Sequence, residues 1–105
     1  MAIHQRLGLY ARNWEHTERI YMRHGDTNRV LDLFGRDFDV ADYDSASVNI
    51  EHSGAYDFIA AEISGSDASI DCDVICAAYG DVRCLLQLVD SDKHVSSLPF
   101  IVTVV

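Results

Sequence analysis

With 105 residues, 49% of them hydrophobic, and a net charge of −9, the chain has the make-up of one ordinary globular domain spanning 1–105. No apolar run approaches the ~20 residues a membrane-spanning helix needs, and the start MAIHQRLGLYARNWEH lacks the apolar core of a secretory signal, so a cytoplasmic protein is expected. The acidity argues against direct nucleic-acid binding and against attraction to anionic membranes.

In chain order, residues 3–11 alternate Ile3, Leu7, Leu9 and Ala11 with His4, Arg6 and Gly8, the period of a half-buried strand. Asn13 offers an N-cap, and WEHTERIYMRH reads as a helix over 14–24 that stops at Gly25, with Trp14, Thr17, Tyr21 and His24 on roughly one face. Asp26 is then placed to cap a second short helix, TNRVLDLF, with Val30, Leu31 and Phe34 turned inward and Gly35 as its stop. GRDFDVADYDSAS, dense in acids and turn formers, is expected to be a loop.

From residue 47 the pattern changes to strands: SVNIEH, AYDFIAAEIS, SIDCDVICAAY, VRCLLQLVD and PFIVTVV, separated by Ser-Gly, Gly-Ser-Asp, Gly-Asp and Ser-Asp-Lys. Gly80-Asp81 is expected to be a two-residue hairpin turn that sets Cys84 opposite Ala77. A helix through VICAAYGDVRCLLQLV is the alternative. The fold class expected is α+β: one or two N-terminal helices packed on an antiparallel sheet of four to six strands.

Cys72, Cys76 and Cys84 are an odd count, and a reducing compartment disfavours disulfides. On a strand, Cys72 and Cys76 lie ~13 Å apart, too far for one ion with sulfur ligands at ~2.3 Å. Small buried hydrophobes is the expected role, with no metal and no cofactor.

Charge is unevenly placed. Residues 1–36 carry Arg6, Arg12, Arg19, Arg23, Arg29 and Arg36 against Glu15, Glu18, Asp26 and Asp32, a balance of +2. Residues 37–105 carry only Arg83 and Lys93 against thirteen acids, a balance of −11.

MRHGDTN, residues 22–28, resembles the signature of the histidine phosphatase (phosphoglycerate mutase-like) superfamily. The resemblance implies His24 as the nucleophile that accepts a phosphoryl group, Arg23 and Arg29 as phosphate clamps, and Asn28 as the trailing asparagine. It covers about eight of the 105 residues. Members of that superfamily carry a parallel α/β sheet on a longer chain and place a second histidine and another arginine far downstream. Here Asp26 replaces the commoner Glu, Arg83 is the one late arginine, and His52 and His94 lack the matching surroundings. The simpler reading of the same residues is a helix end at Gly25 with Asp26 opening the next helix.

RDFDVADYD, residues 36–44, gathers Asp37, Asp39, Asp42 and Asp44 around Phe38 and Tyr43. It lacks the register and trailing glutamate of an EF-hand. It reads either as a solvated loop or as a recognition edge in which carboxylates meet arginines and lysines while the two aromatics anchor. DASIDCDV adds Asp67, Asp71 and Asp73, with Asp71 and Asp73 on one strand face and Asp90 expected opposite Asp71. Like charges across a sheet destabilise it unless something basic covers them; a plain solvent face is the other reading.

The expected function is a small acidic inhibitor or regulator that covers a basic surface of a partner protein, one suited to holding nucleic acid. In physical type this is similar to immunity proteins and to phage-encoded anti-defence inhibitors, anti-CRISPR proteins among them. Its expected contacts are Asp37, Phe38, Asp39, Asp42, Tyr43, Asp44, Asp67, Asp71 and Asp73, with no catalytic residue. One alternative is a phosphoryl-transfer enzyme using Arg23 and His24. The other is a self-assembling subunit whose basic front meets the acidic body of the next copy, giving a homo-oligomer.

Overall fold

The computed structural model describes residues 2–12 and 17–105. Nine strands form one mixed sheet that curls into a half-barrel: β1 (Ile3–Leu9), β2 (Arg19–Met22), β3 (Arg29–Gly35), β4 (Ser45–His52), β5 (Ala55–Ser64), β6 (Asp67–Asp71), β7 (Gly80–Val89), β8 (His94–Ser96) and β9 (Phe100–Val104). The strand order is β1-β3-β6-β5-β4-β7-β9-β2, with β8 on β7. A 3₁₀ turn at Val40–Asp42 and a single helical turn at Asp73–Cys76 are the only helical pieces among the described residues. None is long and apolar enough to cross a membrane.

The expected α+β class is therefore overturned. Of the first expected helix, residues 13–16 lie outside the described residues, and Arg19–Met22 is strand β2, with Met22 buried and Arg19 and Tyr21 exposed. The second expected helix is strand β3. Its buried Leu31 and Leu33 face inward, while Val30, Asp32 and Phe34 share the other face. Apolar spacing there fits both periods, and pairing on both sides decides it: β3 runs parallel to β1 and antiparallel to β6. Asp26 caps no helix and instead accepts from Arg29 Nε at 2.7 Å.

The chain runs from β1 to β2 at the far end of the strand order and returns to β3 beside β1. The two parallel pairs, β1–β3 and β2–β9, thus close the two ends of an otherwise antiparallel sheet. Curling comes from β5, whose Ala55–Ala61 pairs with β4 and whose Glu62–Ser64 pairs with β6. Leu98 N–H donates to Tyr10 C=O at 2.6 Å, drawing the end of β1 toward the segment before β9.

The Ser53-Gly54 link joins His52 to Ala55 as a two-residue hairpin; both residues have positive φ (51° and 82°), the requirement of a type I′ turn that glycine meets without strain. The expected Gly80-Asp81 hairpin does not form. Asp73–Cys76 winds into the helical turn, and Gly80 opens β7, which pairs with β4, β8 and β9 rather than with β6.

One core fills the half-barrel: Leu31 and Leu33, Val48, Ile70, Val82, Leu86 and Leu88, and Phe100 and Val102 are all at most 1% exposed. Burying such side chains at about 25 cal/mol per Å² of apolar area is the main force holding the fold. Cys72, Cys76 and Cys84 belong to the same core. The reasoning that set them apart on a strand fails, because Cys76 N–H donates to Cys72 C=O at 2.9 Å as successive turns of a helix do. Among the described residues no group of three His, Cys, Asp or Glu is arranged to hold a metal ion.

Candidate functional site

The acidic segment after β3 is built as a folded turn rather than a free loop. Asp37 accepts the backbone N–H of Ala11 at 2.7 Å and of Arg12 at 2.8 Å, tying the turn to the exit from β1. Asp39 caps the 3₁₀ turn by accepting Ala41 N–H at 3.0 Å, and buried Val40 pins that turn to the core. Phe38 and Tyr43 are half-buried and pack against the core cluster. They hold the turn against the core.

Asp42 and Asp44 are exposed beyond this support. Asp44 N–H donates to Val89 C=O at 3.0 Å, so the start of β4 sits against the end of β7 and brings Asp90 beside Asp44. The two carboxyl groups share a hydrogen bond. It pushes Asp44 above the usual carboxylate range, and Asp90, which accepts it, is held below. Among the described residues Lys93 is the one cation here, with its Nζ 3.7 Å from Asp90, 3.3 Å from the Asp42 carbonyl and 5.4 Å from the Tyr43 ring.

The remaining expected contacts lie elsewhere. Asp67 is gripped by Arg6, Nη2 to Oδ1 at 3.0 Å and Nε to Oδ2 at 3.3 Å, while the same guanidinium stacks 4.0 Å over Phe34. Asp71 closes β6 and accepts Asp73 N–H at 3.0 Å, so the two open the helical turn instead of sharing a strand face. Asp90 faces Asp44 and not Asp71. The like-charge pair expected across the sheet does not form: Asp71 stands opposite Val30, and Asp44 and Asp90 lie just beyond the paired ends of β4 and β7.

Front and body are not electrostatically separate. Arg6 binds Asp67, Arg19 binds Asp81 at 2.9 Å with Thr103 alongside, and His4 Nδ1 lies 2.9 Å from Asp32. Arg29 is taken by Asp26. Among the described residues, Asp39, Asp42 and Asp44 at one turn end, where Lys93 pairs with the neighbouring Asp90, and Asp71 and Asp73 at the other, make no side-chain ion pair of their own.

The Arg-His-Gly-Asp motif is a β-turn that follows strand β2. Asp26 N–H reaches Arg23 C=O at 3.2 Å, and Gly25 takes the positive φ (82°) that a type II turn needs at its third position. His24 stacks on Tyr79 with ring centroids 3.8 Å apart, and its Nδ1 lies 3.0 Å from Ala78 C=O. A carbonyl can only accept, so Nδ1 is the donor in this contact. Arg23 is exposed, and Arg29 is engaged by Asp26 and by Gln5 at 3.3 Å.

The structure adds aromatics that the acidic reading passed over. Tyr56 and Phe58 are 77% and 68% exposed on the outward face of β5. The signal is in the sequence: along AYDFIAAEIS, Tyr56 and Phe58 share their side with Ala60, Glu62 and Ser64, and the half-buried Ile59, Ala61 and Ile63 take the other. No family profile matches the chain, and no curated protein matches it.

Proposed function

We propose that the chain is an acidic protein-binding module that inhibits or regulates a partner by covering a positively charged surface of the kind that holds phosphates. The observation that carries this reading is the neighbouring of Asp44 and Asp90, set by the backbone hydrogen bond from Asp44 N–H to Val89 C=O at 3.0 Å. Two neighbouring carboxyl groups with Lys93 as their one close cation among the described residues make a concentrated acceptor site, and an arginine fork laid across both would take two charge-assisted hydrogen bonds. Exposed Asp39 and Asp42 extend the same negative edge, and the backbone beneath them is fixed by the Asp37 and Asp39 contacts. A pre-ordered edge pays little entropy on docking. Charge of this density also speeds encounter with a basic partner, in a manner that salt screens.

The test is capture of a partner from a lysate of the source organism at low and high salt. The expected result is a basic protein retained at about 50 mM salt, released near 500 mM, and lost when Asp42, Asp44 and Asp90 are all changed to Asn. Retention indifferent to both salt and the triple change would overturn the reading.

A further inference from the structure

The outward faces of β5, β4 and β7 form a grid in three rows: Tyr56–Glu51–Arg83, Phe58–Asn49–Leu85 and Ala60–Ser47–Gln87. Two features mark it out. It carries the two most exposed large apolar side chains of the described residues, Tyr56 and Phe58, beside a shallow hollow of about 220 Å³ lined by Tyr56, Arg83, Leu85 and Pro99. Its two charges also stand unused: Glu51 and Arg83 are cross-strand neighbours, yet neither makes an ion pair or a side-chain hydrogen bond among the described residues.

We infer that this face is where two copies of the chain meet, about a two-fold axis running along β4. Such an axis exchanges β5 with β7, so Arg83 of each copy lies over the Tyr56 ring of the other and within reach of its Glu51. Asn49, at the centre of the grid, meets its own equivalent, and a carboxamide is both donor and acceptor, so the pair can exchange hydrogen bonds. The turn ends of the molecule are strongly acidic and repel a second copy. Here one guanidinium and one carboxylate per copy cancel twice over, and that local balance favours self-pairing over a basic partner.

The two Glu51 side chains approach each other near the axis, each neutralised by Arg83 of the other copy. Removing that arginine therefore leaves two facing carboxylates as well as two lost contacts. The grid is small for a protein interface, so the dimer is weak, with a Kd in about the micromolar range. The inference is independent of the acidic-edge reading, since it uses none of the residues on that edge.

Sedimentation velocity on the full chain over a concentration series from about 1 to 500 µM brackets that range. A shift from monomer to dimer is expected, weakened at least tenfold by Arg83→Glu and abolished by Phe58→Ser. The exchange Arg83→Glu with Glu51→Arg should regain at least part of the affinity. Urea midpoints equal to wild type show that the variants are folded, as the exposure of Phe58 and Arg83 leads one to expect. A chain that stays monomeric at the highest concentration, or a dimer indifferent to Phe58→Ser or to Arg83→Glu, overturns the inference.

Discussion

Asp44 and Asp90 meet where β4 begins and β7 ends, and they hold one hydrogen bond between two carboxyl groups. The raised group, Asp44, binds a proton more tightly in the folded chain than in the unfolded one. Its stabilising share is complete below the unfolded value of ~3.9 and fades as pH rises through its folded value. At neutral pH that share is gone and the two carboxylates repel, while Asp90, held low with Lys93 beside it, contributes in the opposite sense. Asp44→Asn keeps a hydrogen-bond donor for Asp90 and removes one charge. The variant should melt higher than wild type at pH 7, and the advantage should disappear by about pH 3. A Tm unchanged at both pH values would show that the pair carries no strain.

Asp32 and Asp81 behave in the opposite sense. The Ser69 hydroxyl donates to Asp32 at 2.6 Å, and this, with His4 beyond, holds Asp32 below the usual range against the effect of burial. Asp81 is lowered by the Thr103 hydroxyl at 2.7 Å and by Arg19. Lowered carboxyls stabilise the fold above their unfolded pKa, and that share is lost as pH falls through the folded values. Asp32→Asn should cost about 1 kcal/mol at pH 7, the net worth of a typical hydrogen bond in a partly exposed setting. It should also flatten the loss of stability between about pH 4 and pH 2. Urea midpoints across that range measure both effects.

The back of the chain was legible because its strands alternate. AYDFIAAEIS reads as a strand and is β5 residue for residue, and Ser53-Gly54 reads as a turn and is one. The front was not, because RVLDLFG satisfies helical and strand spacing equally. What selects the strand is remote: Asp32 finds Ser69, and Phe34 lies under Arg6, contacts that local propensity does not contain. The same holds for the acids. Asp37 looks like a free carboxylate until Ala11 and Arg12, some 25 residues earlier, donate to it. Sequence revealed the amount of charge and the density of acids at 36–44, whereas folding decided which of them remained available.

Gly35 marks the place where that acidic turn is tightest. A Cβ added there would collide with the Phe38 carbonyl oxygen and stand 2.6 Å from its ring, far inside contact distance. Gly35→Ala must push the turn off the core, at about 1–3 kcal/mol, the usual range for overpacking. Gly54→Ala meets no atom and suffers only its positive φ, about 1 kcal/mol. If the acidic edge depends on this turn, Gly35→Ala should weaken capture of a basic partner while Gly54→Ala leaves it intact. Equal urea midpoints for the two variants would refute the packing argument.

The three thiols offer a probe of the core that needs no partner. Burial pushes Cys72 and Cys84 up to about 12 and raises Cys76 as well, and all three side chains are 0% exposed. A thiol reacts as its thiolate, so at pH 8 the native protein should be inert to a disulfide reagent. The expectation is fewer than about one thiol labelled over an hour in buffer, and all three within minutes in ~6 M guanidinium. Native-state reaction at the rate of a free cysteine would place at least one sulfur at the surface and break the packing of the helical turn at Asp73–Cys76 against Met22, whose sulfur lies 3.7 Å from that of Cys76. Slow labelling that follows the urea dependence of unfolding would instead identify global opening as the only route to these groups, as a single cooperative core requires.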